Sequence, residues 1–310
     1  MTPVLIDCDP GLDDAIALLL ALASPELDVL GVTTVAGNQT LDKTTANALR
    51  VLELAGREDI PVAAGADRPL EEELVTAADA HGETGLDGPD LPPPHREALE
   101  EHAVDFLGQR VEGTTLLALG PLTNVALLLE QRAEQPERIV LMGGAIAEGN
   151  ITASAEFNIW VDPEAAHRVF TSGLDVTMVG LDVTNRAVLT HEHADRLRDA
   201  GRVGTAVAAM LDFYLGFYLA AYDHGGAPIH DAVAVAHVIR PELLKTLERH
   251  VEIDRGPGPS RGRTVVDMRR RTVLPEPNAR VAVDVDVESF RELLLERLAN
   301  FPSEGASGPD

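Results

Sequence analysis

Short β-branched, apolar runs alternate with stretches of helical periodicity from residue 3 to about residue 181. A strand that is apolar on both faces must be covered on both sides. A helix is the usual way to carry the chain back before the next parallel strand. The pattern predicts strands at 3–6, 29–35, 116–119, 139–142 and 176–181. It predicts helices at 13–23, 41–54, 121–129 and 163–170. The expected fold class is α/β, with an open, doubly wound, mainly parallel central sheet flanked by helices. Further on, helical patterns cover 203–222 and 231–239, strand-like stretches cover 263–268 and 280–285, and a closing helix covers 287–299. No repeat or low-complexity linker divides the chain, so 1–301 reads as a single domain, with a mobile Gly/Ser/Pro-rich tail at 302–310. Residues 67–95 are polar and rich in Gly and Pro. A loop of that length in a compact domain is expected to be a lid, with 223–228 as a second mobile segment.

Composition narrows the partners. The chain has 310 residues, 45% hydrophobic and 25% charged, which suits a large core. Its 25 Lys+Arg stand against 51 Asp+Glu, a net charge of −26. Such a surface repels phosphate backbones and acidic lipids, which argues against nucleic-acid or membrane partners. The arginines at 261, 263, 269, 270 and 271 read as a solvated strand pair. The single cysteine, Cys8, allows no internal disulfide and no thiolate cluster. The N-terminus has no basic flank, and the apolar run 15–23 is too short to span a bilayer. The expectation is a soluble, cytoplasmic protein acting on a small molecule.

The informative polar residues fall where predicted strands end. The first strand runs into Asp7-Cys8-Asp9-Pro10-Gly11, with Asp13-Asp14 opening the next helix. The second ends in Gly37-Asn38, and the strand at 117 in Leu119-Gly120-Pro121-Leu122-Thr123-Asn124. The strand at 140 ends in Gly143-Gly144, followed by Asn150, Glu156 and Asn158. In open α/β sheets ligands bind beyond the carboxyl ends of the strands, so these residues converge. Four carboxylates as close as Asp7, Asp9, Asp13 and Asp14 repel one another unless protonated, hydrogen-bonded or bound to a cation. Ca²⁺ accepts mixed carboxylate, carbonyl and water shells more readily than Mg²⁺. The competing explanation is local: acids favour a helix N-terminus, and Asp7 caps main-chain amides. Phe213, Tyr214, Phe217, Tyr218 and Tyr222 recur at helical spacing, which predicts core burial for most, with Tyr218 and Tyr222 near a ligand. Trp160 is expected beneath the sugar site, and His191 and His193 on a helix surface.

DCDPGLDDAIALLLAL resembles the N-terminal signature of the inosine-uridine-type nucleoside hydrolases. VTTVAGN, HGETG, GPLTN, VLMGGAIAEGN, AEFNIWVDPEAA and GAPIHDAVAVA are similar to that family's later motifs, in the family's order, from about residue 4 to residue 239. The resemblance implies a Rossmann-like nucleoside hydrolase fold and Ca²⁺-dependent cleavage of ribonucleosides to ribose and free base. It matches Asp9, Asp14, Asp231 and the carbonyl of Leu119 to calcium ligands, and Asp9 also to the general base that acts on water. Asp13, Asn38, Asn150, Glu156 and Asn158 match residues that hold the ribose hydroxyls. His81 matches a loop histidine near the base, and His230 a candidate for protonating the leaving group. Asp7 is expected to orient its neighbours. The resemblance also implies a homo-oligomer, dimer or tetramer, and a role in nucleoside salvage. Two other readings stand beside it. DCDPG is similar to the DxD of haloacid-dehalogenase-type phosphatases, but Pro10-Gly11 follows it, lysines are scarce and no downstream GDxxxD is present. A catalytically silent nucleoside- or ribose-binding protein would keep the pocket and lose turnover.

Overall fold

The computed structural model describes residues 1–131, 134–223 and 225–301, so the tail expected at 302–310 lies outside the described residues. Along the chain, β1 (Thr2–Cys8), α1 (Leu12–Leu22), β2 (Leu27–Thr34), α2 (Leu41–Leu54) and β3 (Val62–Ala64) form the first βα units. A long connection then carries α3 (Ala78–His81) and α4 (Ala103–Gly108) before β4 (Thr115–Ala118), α5 (Thr123–Glu130) and β5 (Arg138–Met142). Next come α6 (Phe157–Val161), α7 (Pro163–Phe170), β6 (Val176–Val179), α8 (Leu181–Thr184), β7 (Val188–Leu189), α9 (His191–Leu197) and α10 (Gly201–Ala221). The chain ends with β8 (Ala227–Pro228), α11 (His230–Ile239), β9 (Leu244–Arg249), β10 (Val251–Ile253), β11 (Thr264–Val266), β12 (Ala279–Val285) and α12 (Val287–Ala299).

The main sheet has eight strands in the order β3-β2-β1-β4-β5-β6-β12-β9. All neighbours are parallel except the edge pair β12–β9. Strand alternation decides which layer each residue meets. Val4, Ile6 and Cys8 of β1 face a layer that includes α1, α2, α10, α11 and α12. Leu5 faces the other layer, built on α4, α5 and α7. Ile16, Leu18, Leu19 and Leu20 are wholly buried, so α1 is apolar on every side beyond its first turn. Each such side chain contributes roughly 1.5–3 kcal/mol of burial.

Several details depart from the sequence-based expectations. Residues 67–95 are not purely loop, because α3 forms inside them. Residues 264–266 pair with β10 in a separate two-stranded sheet, not with the main one. β3, α4 and β9 lacked a readable period and were not expected. Residues 201–221 make a helix long and apolar enough to cross a bilayer, longer than the 15–23 run. Here 56% of its most apolar stretch is buried, and it packs on α9, α3 and α12.

Candidate active site

The chain enters the sheet at β1 and returns on opposite sides of it, to β2 and to β4, so the carboxyl ends of β1 and β4 flank a crevice at the switch point. Asp9 follows β1 and Leu119 follows β4. α1 and α11 pack together, and their first turns bring Asp13 and Asp14 beside Asp231. Carboxylates at helix N-termini meet the positive ends of two helix dipoles. One oxygen from each of Asp13, Asp14 and Asp231 lies within 4.8 Å of the others, and all three residues are buried.

Asp14 serves the local fold as well, accepting from the Gly11 amide at 3.0 Å, the Asp9 amide at 3.2 Å and Asn38 Nδ2 at 2.9 Å. Asp9 Oδ2 accepts from the Asn38 amide at 2.6 Å, while buried Asp9 Oδ1 has no hydrogen-bond partner. Asp7 lies beneath, accepting from the Thr33 hydroxyl at 2.6 Å and Asn124 Nδ2 at 2.8 Å. No arginine or lysine among the described residues pairs with these acids; only His81 approaches, 4.0 Å from Asp13. Burial pushes the Asp7 carboxyl up to about 6. Burial and the neighbouring charge of Asp14 push Asp13 up to about 8. Asp9 rises for the same two reasons, and Asp231 rises through burial and then the charges of Asp13, Asp14 and Asp9. Such a set demands protons or a cation. The unpartnered Oδ1 of Asp9, the trio of converging oxygens and the all-oxygen donor chemistry fit a hard divalent ion.

Next to the acids is a cavity of about 260 Å³. Asp13, Asn38, His81, Leu119, Asn150, Glu156, Asn158, His230 and Asp231, all expected from the sequence, line it. Glu156 caps α6, its carboxylate accepting from the amides of Gly144, Asn158 and Ile159, and burial raises its pKa. Asn158 Nδ2 donates to the Leu119 carbonyl at 2.7 Å, and Asn150 Oδ1 accepts from the Phe157 amide. His230 opens α11 with Nδ1 2.8 Å from Thr184 Oγ1 and Nε2 3.1 Å from the Tyr218 hydroxyl.

The aromatic stripe of α10 divides differently from the expected core. Tyr214 and Tyr218 are buried against the cavity, half-buried Phe217 and exposed Tyr222 also line it, as expected for Tyr218 and Tyr222, and Phe213 is exposed. Trp160 does not line the cavity; it packs on Gly262. His191 is exposed as expected, whereas His193 is half-buried and accepts from the Thr190 amide. Thr184 and Asn47 escaped the sequence reading, and Asn124, which closes the GPLTN motif, was read there without a role of its own. Each is a polar residue in an apolar setting, which is the signal that would have flagged them.

A sequence profile of the inosine-uridine preferring nucleoside hydrolases matches residues 4–292. This chain belongs to that family. It is therefore a nucleoside hydrolase acting on small-molecule ribonucleosides, and the phosphatase alternative falls. A curated relative, the pyrimidine-specific ribonucleoside hydrolase RihA of Citrobacter koseri, is 50% identical over 310 residues, covering 97% of this chain and 99% of that protein. A plant nucleoside hydrolase structure, PpNRh1, superposes with a TM-score of 0.89 at 36% identity, covering 96% and 99% of the two chains. A purine-preferring ribonucleoside hydrolase from Gardnerella vaginalis gives a TM-score of 0.90 at 35% identity, with coverages of 97% and 99%. The nucleoside hydrolase family and its mainly parallel fold are thus as the motifs implied.

Proposed function

We propose that this chain hydrolyses the N-glycosidic bond of pyrimidine ribonucleosides, with Ca²⁺ held by Asp9, Asp14, Asp231 and the Leu119 carbonyl. The observation that carries the reading is the group of buried carboxylates, paired with no Arg or Lys among the described residues, opening onto a cavity lined by amides and histidines. Preference for pyrimidines is supported by the name of a relative at 50% identity, against 35% for the purine-preferring structure.

Breaking an N-ribosidic bond builds positive charge on the sugar. The bound cation would acidify water and organise the acids around the sugar hydroxyls. Asp9, with one oxygen fixed by the Asn38 amide and the other unbonded, is placed to take a proton from the attacking water. Asp13, Asn38, Asn150, Glu156 and Asn158 hold the ribose, and the carboxylates add negative charge beside the developing cation. His230, backed by Thr184 and Tyr218, supplies a proton toward the departing base. Direct attack by water gives inversion at the anomeric carbon. Sugar hydroxyls that take part in binding make deoxyribonucleosides poor substrates. The protein is proposed to act in the cytoplasm, as a homo-oligomer.

The test is base release from uridine, cytidine, inosine and adenosine, each with and without chelator. Uridine and cytidine are expected to be cleaved fastest, chelation to stop turnover and added Ca²⁺ to restore it. Undiminished activity in chelator removes the cation, and faster cleavage of inosine or adenosine removes the pyrimidine preference.

A further inference from the structure

We infer that the β10–β11 hairpin clamps the ribose-holding segment from behind, and that Thr264 is the positioning residue through which it does so. The inference rests on the nucleoside-cleavage reading above, in which Asn150, Glu156 and Asn158 hold the sugar, and adds what holds them in place. After β5 the chain runs through residues 143–156 without helix or strand. Gly144 and Ala145 are buried there, so their main-chain groups need partners that no ladder supplies. At Ala145 one side chain supplies both. The Thr264 hydroxyl accepts from the Ala145 amide at 2.8 Å and donates to the Ala145 carbonyl at 2.7 Å. A hydroxyl has one proton and two lone pairs, so buried Thr264 stands in for a neighbouring strand where β5 has ended.

The preceding residue carries the effect to the sugar site. The Gly144 amide donates to Glu156 Oε2 at 2.9 Å, and the same carboxylate accepts from the Asn158 and Ile159 amides at 2.8 and 3.1 Å. Those two amides belong to α6 and move with Glu156. The Gly144 amide is what relates the carboxylate to the end of β5. Gly144 has a φ of +77°, and a Cβ there would stand 2.7 Å from Thr264 Cγ2 and 2.9 Å from Oγ1. Glycine therefore serves both the backbone conformation and the approach of the threonine. From the other side the Leu181 amide donates to the Gly144 carbonyl at 2.9 Å, so this peptide is held on both edges.

The hairpin grips the same stretch at three further points. A Cβ on Gly262 would stand 2.7 Å from Trp160 Cα, so the loop joining β10 and β11 lies directly on α6, two residues beyond Asn158. Ser154 Oγ donates to the Pro259 carbonyl at 3.3 Å. Arg261 Nη2 donates to both carboxylate oxygens of Glu164 on α7 at 3.0 Å. Val251 and Ile253 of β10 are buried in the core layer of α5 and α7, which anchors the hairpin to the body of the protein. Thr264, Gly262 and Arg261 do not line the cavity, so they act on the sugar through Glu156 and Asn158. Residues that hold a ligand are only as well placed as the contacts behind them.

The experiment compares Thr264→Val, which keeps the shape and loses both hydrogen bonds, with Thr264→Ser, which keeps the hydroxyl. Thr264→Val is expected to raise KM for uridine about tenfold, and the inhibition constant of D-ribose by the same factor. The sugar contact is made before and during bond cleavage alike, so kcat is expected to stay within about threefold. Thr264→Ser brings both constants back to within about twofold of the unsubstituted enzyme. Ca²⁺ affinity by calorimetry is expected to be unchanged, because the acids lie at β1, α1 and α11. A protein that has only lost stability has fewer active molecules, which lowers apparent kcat and leaves KM and the ribose constant alone. That result overturns the inference, as does an equal loss in the Val and Ser variants or a matching fall in Ca²⁺ affinity. Should Thr264→Val not fold, Arg261→Ala at the partly exposed end of the hairpin is expected to raise the same two constants about threefold. Unchanged constants there overturn the inference as well. If the unsubstituted enzyme releases no base from uridine or cytidine, the underlying reading fails. If it does and Thr264→Val matches it in KM and ribose inhibition, the inference alone fails.

Discussion

Asp9 has almost no freedom. A Cβ on Gly37 would stand 2.2 Å from its Oδ2, and one on Gly120 would stand 2.4 Å from its Oδ1. The carboxylate is held between the glycines of two strand-end turns, and the Asn38 amide fixes its plane. Asp9→Asn keeps the volume, and its carbonyl oxygen still accepts from Asn38. Its NH₂ then occupies the unbonded Oδ1 position, where it neither takes a proton nor binds a cation. The expected outcome is a loss of kcat on uridine of roughly 10²-fold or more, with weaker Ca²⁺ binding by calorimetry. Turnover near that of the unsubstituted enzyme would remove Asp9 from base catalysis. The acids themselves were legible, since DCDPGLDD concentrates more charge than one helix start requires. The glycines were legible only as turn residues. What each one faces depends on a contact across the sheet, as Gly37 faces Asp9, and spacing along the chain does not carry that.

At the level of elements, the segment around α3 is fastened where a lid was expected. Asn47, wholly buried on α2, donates Nδ2 to the Pro10 carbonyl at 3.0 Å and to the Thr84 carbonyl at 2.8 Å. One amide thus joins the turn after Asp9 to the turn after His81. Asn47→Ala leaves the buried Pro10 carbonyl and the partly buried Thr84 carbonyl without that donor, at a cost of about 1–3 kcal/mol. Faster proteolytic nicking within 76–87 and a KM for uridine raised about tenfold are expected. Unchanged nicking would mean that the segment is held by other contacts. Asn47 was missed because it occupies a position that helical periodicity assigns to the core, beside Ala48 and Val51. The long elements were legible because burial on one or both faces imposes a period on their sequence, as in α2 and β2. Short ones such as β3 and α4 span too few residues to display a period. β9, at the sheet edge, has one buried residue, Leu244, followed by exposed and half-buried residues in no strict alternation, which leaves only a faint apolar pattern.

For the molecule as a whole, the acidic surface and the acidic site both depend on pH, and the buried site sets the sign. The Asp7 carboxyl lies at about 6 in the folded protein against 3.8 for the free group. Asp13 lies at about 8, and Asp9 and Asp231 are also raised. Unfolded acids lose their protons first as pH rises, so the folded state binds more protons between the unfolded and folded values. Stability without a cation therefore falls as pH rises through that window, from about pH 4 to about pH 8. For Asp7 alone the loss is on the order of 3 kcal/mol. A divalent ion replaces the protons at the metal-binding acids and relieves their repulsion, so it stabilises the ionised cluster more than the protonated one. Melting curves in chelator are expected to shift to lower temperature from about pH 5 to about pH 8. Added Ca²⁺ should raise Tm more at the higher pH. An equal Ca²⁺ effect at both values would mean that the ion binds away from these acids. A Tm in chelator that holds steady across the range would mean that their charges are already balanced within the fold.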